Sequence, residues 1–197
     1  MEMTGNRHLA VTQQQAWDAL NDPEVLKACI PGCEKVEATG ENQFTVGVAV
    51  RVGPVAAKFN GRIALSEVQA PNSYTLAFDG QGGPAGFGKG TAHVRLSPPA
   101  EGAGCELGYD VTAQVGGKIA QVGQRLVDGV ARSMADDFFK RFDEEMQRRY
   151  PQAYAAEAAQ AAGQGEPAAA PKPAMPPWWV WLVAGALLAA VVYWMRR

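Results

Sequence analysis

Apolar and polar residues alternate along most of the chain between Cys33 and Val115. Alternation with a period of two predicts antiparallel strands that have one covered face and one solvated face. Pro54, Pro71–Asn72 and Pro98–Gly102 supply turns between the strands, and we predict six strands in this order of elements. The covered face is predicted to include Phe44, Val46, Val48, Val50, Val52, Phe59, Ile63, Leu76, Phe78, Val94 and Tyr109.

Two short helices are predicted before these strands. A short strand at His8–Val11 precedes apolar residues at helical spacing in Gln13–Leu20. A second helix is expected to start at Pro23, with Asp22 as its N-cap, because proline is well tolerated at the first helical position. Ile30–Cys33 ends it with a Pro-Gly pair.

A long amphipathic helix is predicted from about Lys118 to Tyr150. Its apolar residues recur every three or four positions, and charged residues occupy the other side. At about nine turns it is long enough to lie across the whole sheet. We therefore predict an α+β helix-grip fold, in which a curved antiparallel sheet wraps around a long C-terminal helix. The apolar stripe comprises Ile119, Val122, Leu126, Val130, Met134, Phe138 and Phe142.

The last twenty residues have the pattern of a transmembrane helix. Residues 178–195 carry no charge, and at ~1.5 Å rise per residue they span roughly 27 Å, close to the hydrocarbon thickness of a bilayer. We predict a domain at 1–150, an Ala/Pro-rich flexible linker at 151–177 and a single-pass C-terminal anchor at 178–197. Its interfacial aromatic residues are Trp178, Trp179, Trp181, Tyr193 and Trp194.

Charge and cysteine content narrow the function. The net charge of −2 shows no basic excess, which argues against a nucleic-acid partner. No apolar run follows the N-terminus, so we expect no signal peptide and a domain that faces the cytoplasm from the cell membrane. The three cysteines are expected to be reduced thiols.

The segment Gly83–Gly90 comes close to a Walker A loop. Gly90 stands where a Ser or Thr would hold magnesium, and a strand is predicted to follow, so we do not expect nucleotide binding. The glycines are instead expected to bend a strand near an entrance to the interior. Phe87 is then a gate residue, a membrane-facing contact or a plain core residue.

We predict neither a metal site nor a catalytic site. Cys29 and Cys33 have only Cys105 as a further thiol, and zinc sites need more ligands at suitable spacing. The inward positions carry no acid, base or activated nucleophile, so we expect no enzyme activity. An apolar concavity with one or two hydroxyls suits an elongated lipophilic ligand. A packed core, however, would contain the same residue types.

Several segments resemble the carbon monoxide dehydrogenase CoxG family, within the START/Bet v 1-like (SRPBCC) superfamily. They are Ala16–Leu26 with Ile30–Cys33, the glycine-rich Gly83–Gly90, and Gly116–Leu126 at the entry to the long helix. The resemblance implies a helix-grip fold, association with a molybdenum hydroxylase of the aerobic carbon monoxide dehydrogenase type, membrane recruitment and quinone handling.

The resemblance favours a hollow interior over a packed one. We therefore expect menaquinone or ubiquinone as the ligand of this interior. We expect no covalently bound cofactor. The alternative is a pure membrane-anchoring scaffold with a packed core. The predicted cavity residues are Phe44, Val48, Phe59, Ile63, Leu76, Phe78, Phe87, Val94, Tyr109, Ile119, Val122, Leu126 and Val130.

Truncation before Trp178 is expected to move the protein from the membrane fraction to the soluble fraction of a cell lysate, because the segment that can span the bilayer is lost. Immunoblots of the two fractions measure this. A truncated protein that stays with the membrane would contradict the anchor.

Overall fold

The predicted sheet is present as seven antiparallel strands within the described residues. The computed structural model describes residues 1–99 and 102–163, with side chains through residue 160. The strands are β1 (Glu2–Leu9), β2 (Cys33–Gly40), β3 (Gln43–Val52), β4 (Val55–Gln69), β5 (Ser73–Gln81), β6 (Phe87–Ser97) and β7 (Cys105–Gly116). Their order is β1-β7-β6-β5-β4-β3-β2, so the first strand in the chain pairs with the last.

The helices lie between β1 and β2 and after β7. A capping box formed by Thr12 and Gln15 starts the first helix, and the Asp22 side chain caps the second as predicted. The helices are α1 (Gln13–Leu20), α2 (Pro23–Cys29), α3 (Lys118–Gln121), α4 (Gln124–Arg149) and α5 (Pro151–Gly163). The architecture is the predicted α+β helix-grip fold, with α4 as the gripped helix.

The structure differs from the sequence prediction at both ends of the sheet. The first strand covers Glu2–Leu9 rather than His8–Val11, because its backbone pairs with β7 even though Gly5 and Arg7 lie at inward positions. The long helix is interrupted between α3 and α4. Gly123 has φ of 98°, which a helical residue cannot adopt, and it separates the four-residue α3 from α4.

Residues 151–163, where we predicted the linker to begin, form α5. Pro151 occupies its first position, and Tyr154 and Ala153 pack against the core. His8 of β1 lies between two carboxylates, with Nδ1 2.8 Å from Glu106 Oε1 on β7 and Nε2 2.7 Å from Glu157 Oε1 on α5. The compact unit therefore extends to Ala161.

The densest part of the core lies under the C-terminal half of α4. Phe142 and Met146 are the two buried residues of this helix, and both are fully covered. They pack with the apolar faces of α1 and α2 and with Leu107 and Cys105 of β7. At the same end, Arg149 donates hydrogen bonds to Asp22 and Glu145, which ties the start of α2 to the end of α4.

No helix in residues 1–99 and 102–163 is long and apolar enough to cross a membrane. The predicted anchor at 178–197 lies outside the described residues, as does most of the predicted linker.

Replacing Phe142 with alanine is expected to lower the free energy of unfolding by about 3–5 kcal/mol, because a fully buried ring is lost and a cavity remains. Phe87→Ala is the matched control. Its ring is 37 % exposed, so a loss of about 1 kcal/mol or less is expected. Urea unfolding of the full chain in mild detergent, followed by far-ultraviolet circular dichroism, measures both. Equal losses would contradict the position of the core.

The contact of His8 with α5 is expected to weaken as the pH rises. Partial burial lowers the pKa of His8, but hydrogen bonds and attraction from Glu106 and Glu157 outweigh this and raise it above 6.5. The protonated form of His8 therefore stabilises the folded state. This stabilisation is fully present below pH 6.5 and is lost as the pH rises through the folded-state pKa. His8→Gln should therefore lower the free energy of unfolding most at acid pH. The loss should be less than about 1 kcal/mol, since His8, Glu106 and Glu157 are all partly exposed.

The contact is tested by measuring the unfolding free energies of the wild type, His8→Gln and Glu157→Gln from below pH 6.5 to above the folded-state pKa of His8. Glu157→Gln should flatten the pH dependence, since one of the two carboxylates is removed. A cost of His8→Gln that grows with pH would contradict the assignment.

Candidate functional site

Two adjoining apolar cavities lie between the concave face of the sheet and α4. The inner cavity, about 210 Å³, lies nearer to α2, and the outer cavity, about 270 Å³, lies under the N-terminal half of α4. Ile63 lines the inner cavity and Phe78 the outer one, and the two residues are partners in the β4–β5 ladder. Each cavity alone is smaller than ordinary ligand sites of about 300–1,000 Å³. An elongated ligand therefore requires both.

Most of the predicted cavity residues lie at one of these two cavities. The strand alternation places them on the concave face, and Gly90 leaves room for the Phe78 ring, which a Cβ at that position would contact at 2.8 Å. Of the predicted set, the inner cavity is lined by Phe44, Ile63, Leu76, Val94 and Tyr109. The outer cavity is lined by Phe59, Phe78, Phe87, Ile119 and Val130.

Three predicted residues line neither cavity. Val48 is half-buried on β3, and Val122 lies at the break between α3 and α4. Leu126 is 42 % exposed. It lies in the first turn of α4, where its Cδ2 faces Gly53 in the β3–β4 turn. The break at Gly123 shifts the start of the helix, so the apolar stripe does not continue inward to these two helical positions.

Other lining residues were not in the predicted set. Several share the inward parity or helical stripe that the sequence already showed, for example Val46, Val111 and Met134. Leu26 and Ile30 come from α2 and the residue after it. No periodicity in the sequence reveals that they meet the sheet there, because that contact depends on how α2 packs on α4.

Few polar side chains reach the cavities. Among the described residues that line them, no side chain is a carboxylate, imidazole, amine or thiol, and the polar side chains are Tyr74, Tyr109 and Gln114. Met1 also lines the outer cavity, and its α-amino group donates a hydrogen bond to the Ala113 carbonyl at 3.0 Å. Tyr74 is 6 % exposed and packs edge-on against Trp17, with ring centroids 5.4 Å apart. Burial raises the pKa of its hydroxyl. The lining side chains include none of the carboxylates, imidazoles or thiols that usually transfer protons or act as nucleophiles.

The thiols and the histidines lie away from the cavities. Burial raises the pKa of Cys29 and of Cys105 to about 11, so both remain protonated thiols at neutral pH. His93 lies on the outer face of β6, with Nδ1 2.8 Å from the Thr75 hydroxyl. In the part of the chain that the structure describes, no three His, Cys, Asp or Glu side chains are grouped to hold a metal ion.

The glycine-rich segment forms a short 3₁₀ turn at Gly83–Ala85 and then leads into β6, as the sequence predicted. A helix N-terminus that could bind phosphate does not follow it. Phe87 begins β6, lines the outer cavity and is 37 % exposed, so this side chain reaches both the cavity and solvent. We call the region of Phe87, Leu126 and the exposed cations Lys118 and Arg125 the cavity mouth.

Solved structures with this architecture include proteins of several bacteria. A conserved protein from Geobacillus kaustophilus is 32 % identical, with a TM-score of 0.70, over 75 % of this chain and 96 % of that one. A Thermus thermophilus protein is 15 % identical (TM-score 0.57, 76 % and 99 % covered). The Zhui aromatase/cyclase of a Streptomyces species is 17 % identical (TM-score 0.54, 76 % and 94 % covered). The similarities to the Thermus and Streptomyces proteins show a shared fold alone.

Sequence comparison gives a more specific result. No functionally curated protein matches the chain at a significant level. The profile of CoxG, a family described as a subunit of carbon monoxide dehydrogenase, matches residues 5–147. This range covers nearly all of the sheet and of α4, and every cavity-lining residue except Met1. The chain therefore belongs to the CoxG family.

Proposed function

We propose that this protein is a membrane-tethered binding protein for a respiratory quinone. It holds menaquinone or ubiquinone in the two cavities and recruits a molybdenum hydroxylase of the aerobic carbon monoxide dehydrogenase type to the cell membrane. The adjoining apolar cavities carry the proposal, since a protein that served only as an anchor has no need of unfilled space beneath its gripped helix.

The shape and chemistry of the cavities favour a long lipophilic ligand. Taken together, their linings extend from α2 along the sheet to Phe87, and the lining side chains are apolar apart from two tyrosines and one glutamine. A prenyl chain matches this lining, and a quinone head group needs only one or two hydrogen bonds. The absence of an acidic or basic side chain from these linings supports a carrier rather than an enzyme.

The membrane part of the proposal rests on the apolar segment 178–197 and on the family. A soluble oxidising enzyme cannot reach a quinone that is dissolved in lipid, so a tethered carrier connects the two. The tether also raises the local concentration of the carrier at the membrane surface. At the cavity mouth, Phe87 and Leu126 expose apolar side chains, and Lys118 and Arg125 are exposed cations, a combination that suits contact with anionic lipid.

The partner enzyme follows from the family description, which names a subunit of carbon monoxide dehydrogenase. We propose that this chain supplies no redox centre and that the dehydrogenase delivers electrons to the bound quinone. The domain then faces the cytoplasm, and its single C-terminal span lies in the membrane.

Val130→Trp is expected to remove the quinone from the purified protein. Val130 lines the outer cavity, and the larger indole fills the space through which the prenyl chain passes. Val68→Trp is the matched control, since Val68 is 40 % exposed and lines neither cavity. Organic extracts of the full-length protein, purified from cells that contain their native lipids, are measured by mass spectrometry.

Stoichiometric quinone in the wild type and in Val68→Trp, with little in Val130→Trp, supports the carrier. A wild-type protein without quinone that also refuses added quinone would overturn the carrier and leave the anchoring scaffold. Equal quinone in all three proteins would show that the ligand binds outside these cavities.

A further inference from the structure

Tyr74 is a polar residue that lines both the inner cavity and a surface groove formed by β4, β5 and β6. It lies on β5 at an inward position, is 6 % exposed and lines the inner cavity. Its neighbours there include Leu20, Leu76 and Val94, which have no polar side-chain atoms. The Trp17 ring packs edge-on against it and limits the positions that the phenol can take.

The Tyr74 hydroxyl has no hydrogen-bonding partner among the described residues. Burial is the single cause that raises its pKa, and no hydrogen bond to another group contributes. The buried side-chain atoms that have neither accessible surface nor a partner among the described residues are Arg7 Nε and Asp128 Oδ1, and the Tyr74 hydroxyl is not one of them. The hydroxyl therefore borders open space, where a ligand atom can reach it, and one hydrogen bond formed there contributes about 0.5–1.5 kcal/mol.

We infer that the Tyr74 hydroxyl donates a hydrogen bond to a carbonyl oxygen of the ligand head group in the inner cavity. This rests on the proposed function and adds an orientation to it. The head group lies in the inner cavity beside α2, and the prenyl chain runs through the outer cavity towards Phe87. Because a hydroxyl can also accept a hydrogen bond, the same group serves the quinol form.

Tyr109, the other tyrosine of the inner cavity, differs in the position of its hydroxyl. Its ring stacks on Phe139, with centroids 5.3 Å apart, and its hydroxyl lies against Gly5 on the edge strand. There it also borders a surface groove formed by β1 and α4. The two tyrosines therefore provide a matched pair, since each can be changed to phenylalanine with the loss of one oxygen atom.

The test compares the wild type, Tyr74→Phe and Tyr109→Phe as full chains in the same detergent. Each protein is titrated with decylubiquinone, which has two carbonyl groups, and with decylbenzene, which has none. Tyr74→Phe should weaken binding of decylubiquinone by about three- to tenfold, the value of one neutral hydrogen bond, and leave decylbenzene binding unchanged. Tyr109→Phe, whose hydroxyl lies against Gly5 on the edge strand, should weaken binding of decylubiquinone less than Tyr74→Phe does.

A second measurement reports the hydrogen bond itself. The infrared carbonyl band of bound decylubiquinone should shift to lower frequency in the wild type, and it should return towards its position in apolar solvent further in Tyr74→Phe than in Tyr109→Phe. Thermal unfolding of the ligand-free proteins establishes that the variants are folded.

The outcomes separate the two levels of the proposal. If the wild type binds neither probe, the proposed function itself fails. If the wild type binds decylubiquinone and Tyr74→Phe binds it equally well, with an unchanged carbonyl band, only the Tyr74 assignment is overturned. Equal weakening for decylubiquinone and decylbenzene in Tyr74→Phe would also overturn it, since a change in cavity shape rather than a hydrogen bond would then be responsible.

Discussion

The uneven contact between α4 and the sheet is the constraint on which the rest of the structure depends. Phe142 and Met146 are fully buried near the C-terminal end of the helix, where α1, α2 and β7 pack around them. No residue in the N-terminal half of α4 is buried to the same extent. One end of the helix therefore holds the fold together, while the outer cavity lies under the other end. The inner cavity lies between them, beside Phe138 and Phe139 and against the edge of the core.

This division explains how a hollow interior is compatible with a stable domain. Interiors are normally packed to crystal-like density, and every unfilled volume costs contact energy. Here the cost is concentrated in the inner and outer cavities, and the dense cluster around Trp17, Phe142 and Met146 offsets it. The contacts of α5 with β1 and β7 through His8 and Tyr154 strengthen the same end. The cavity mouth lies at the opposite end, where side chains are more exposed.

Many of the residues that line the cavities could be predicted from the sequence, because strand alternation assigns each residue to one face of the sheet. Ile63, Phe78 and Val94 could be placed inward with no knowledge of their neighbours, and the structure puts all three at a cavity. The prediction failed where a single backbone dihedral angle decides the geometry. The positive φ of Gly123 ends α3 and restarts the helix, so Val122 and Leu126 leave the inward stripe. Helical periodicity contains no information about such a break.

The sequence by itself determined the order of the elements, the inward face of each strand, the apolar stripe of α4 and the family. These features follow from local periodicity and from motifs that are contiguous in the chain. The tertiary structure alone decided that the interior is partly empty, that α2 contributes Leu26 and Ile30 to it, and that the Tyr74 hydroxyl lies there without a partner. Filled and hollow cores are built from the same residue types, and only the distance between helix and sheet distinguishes them. That distance depends on all the packed side chains together.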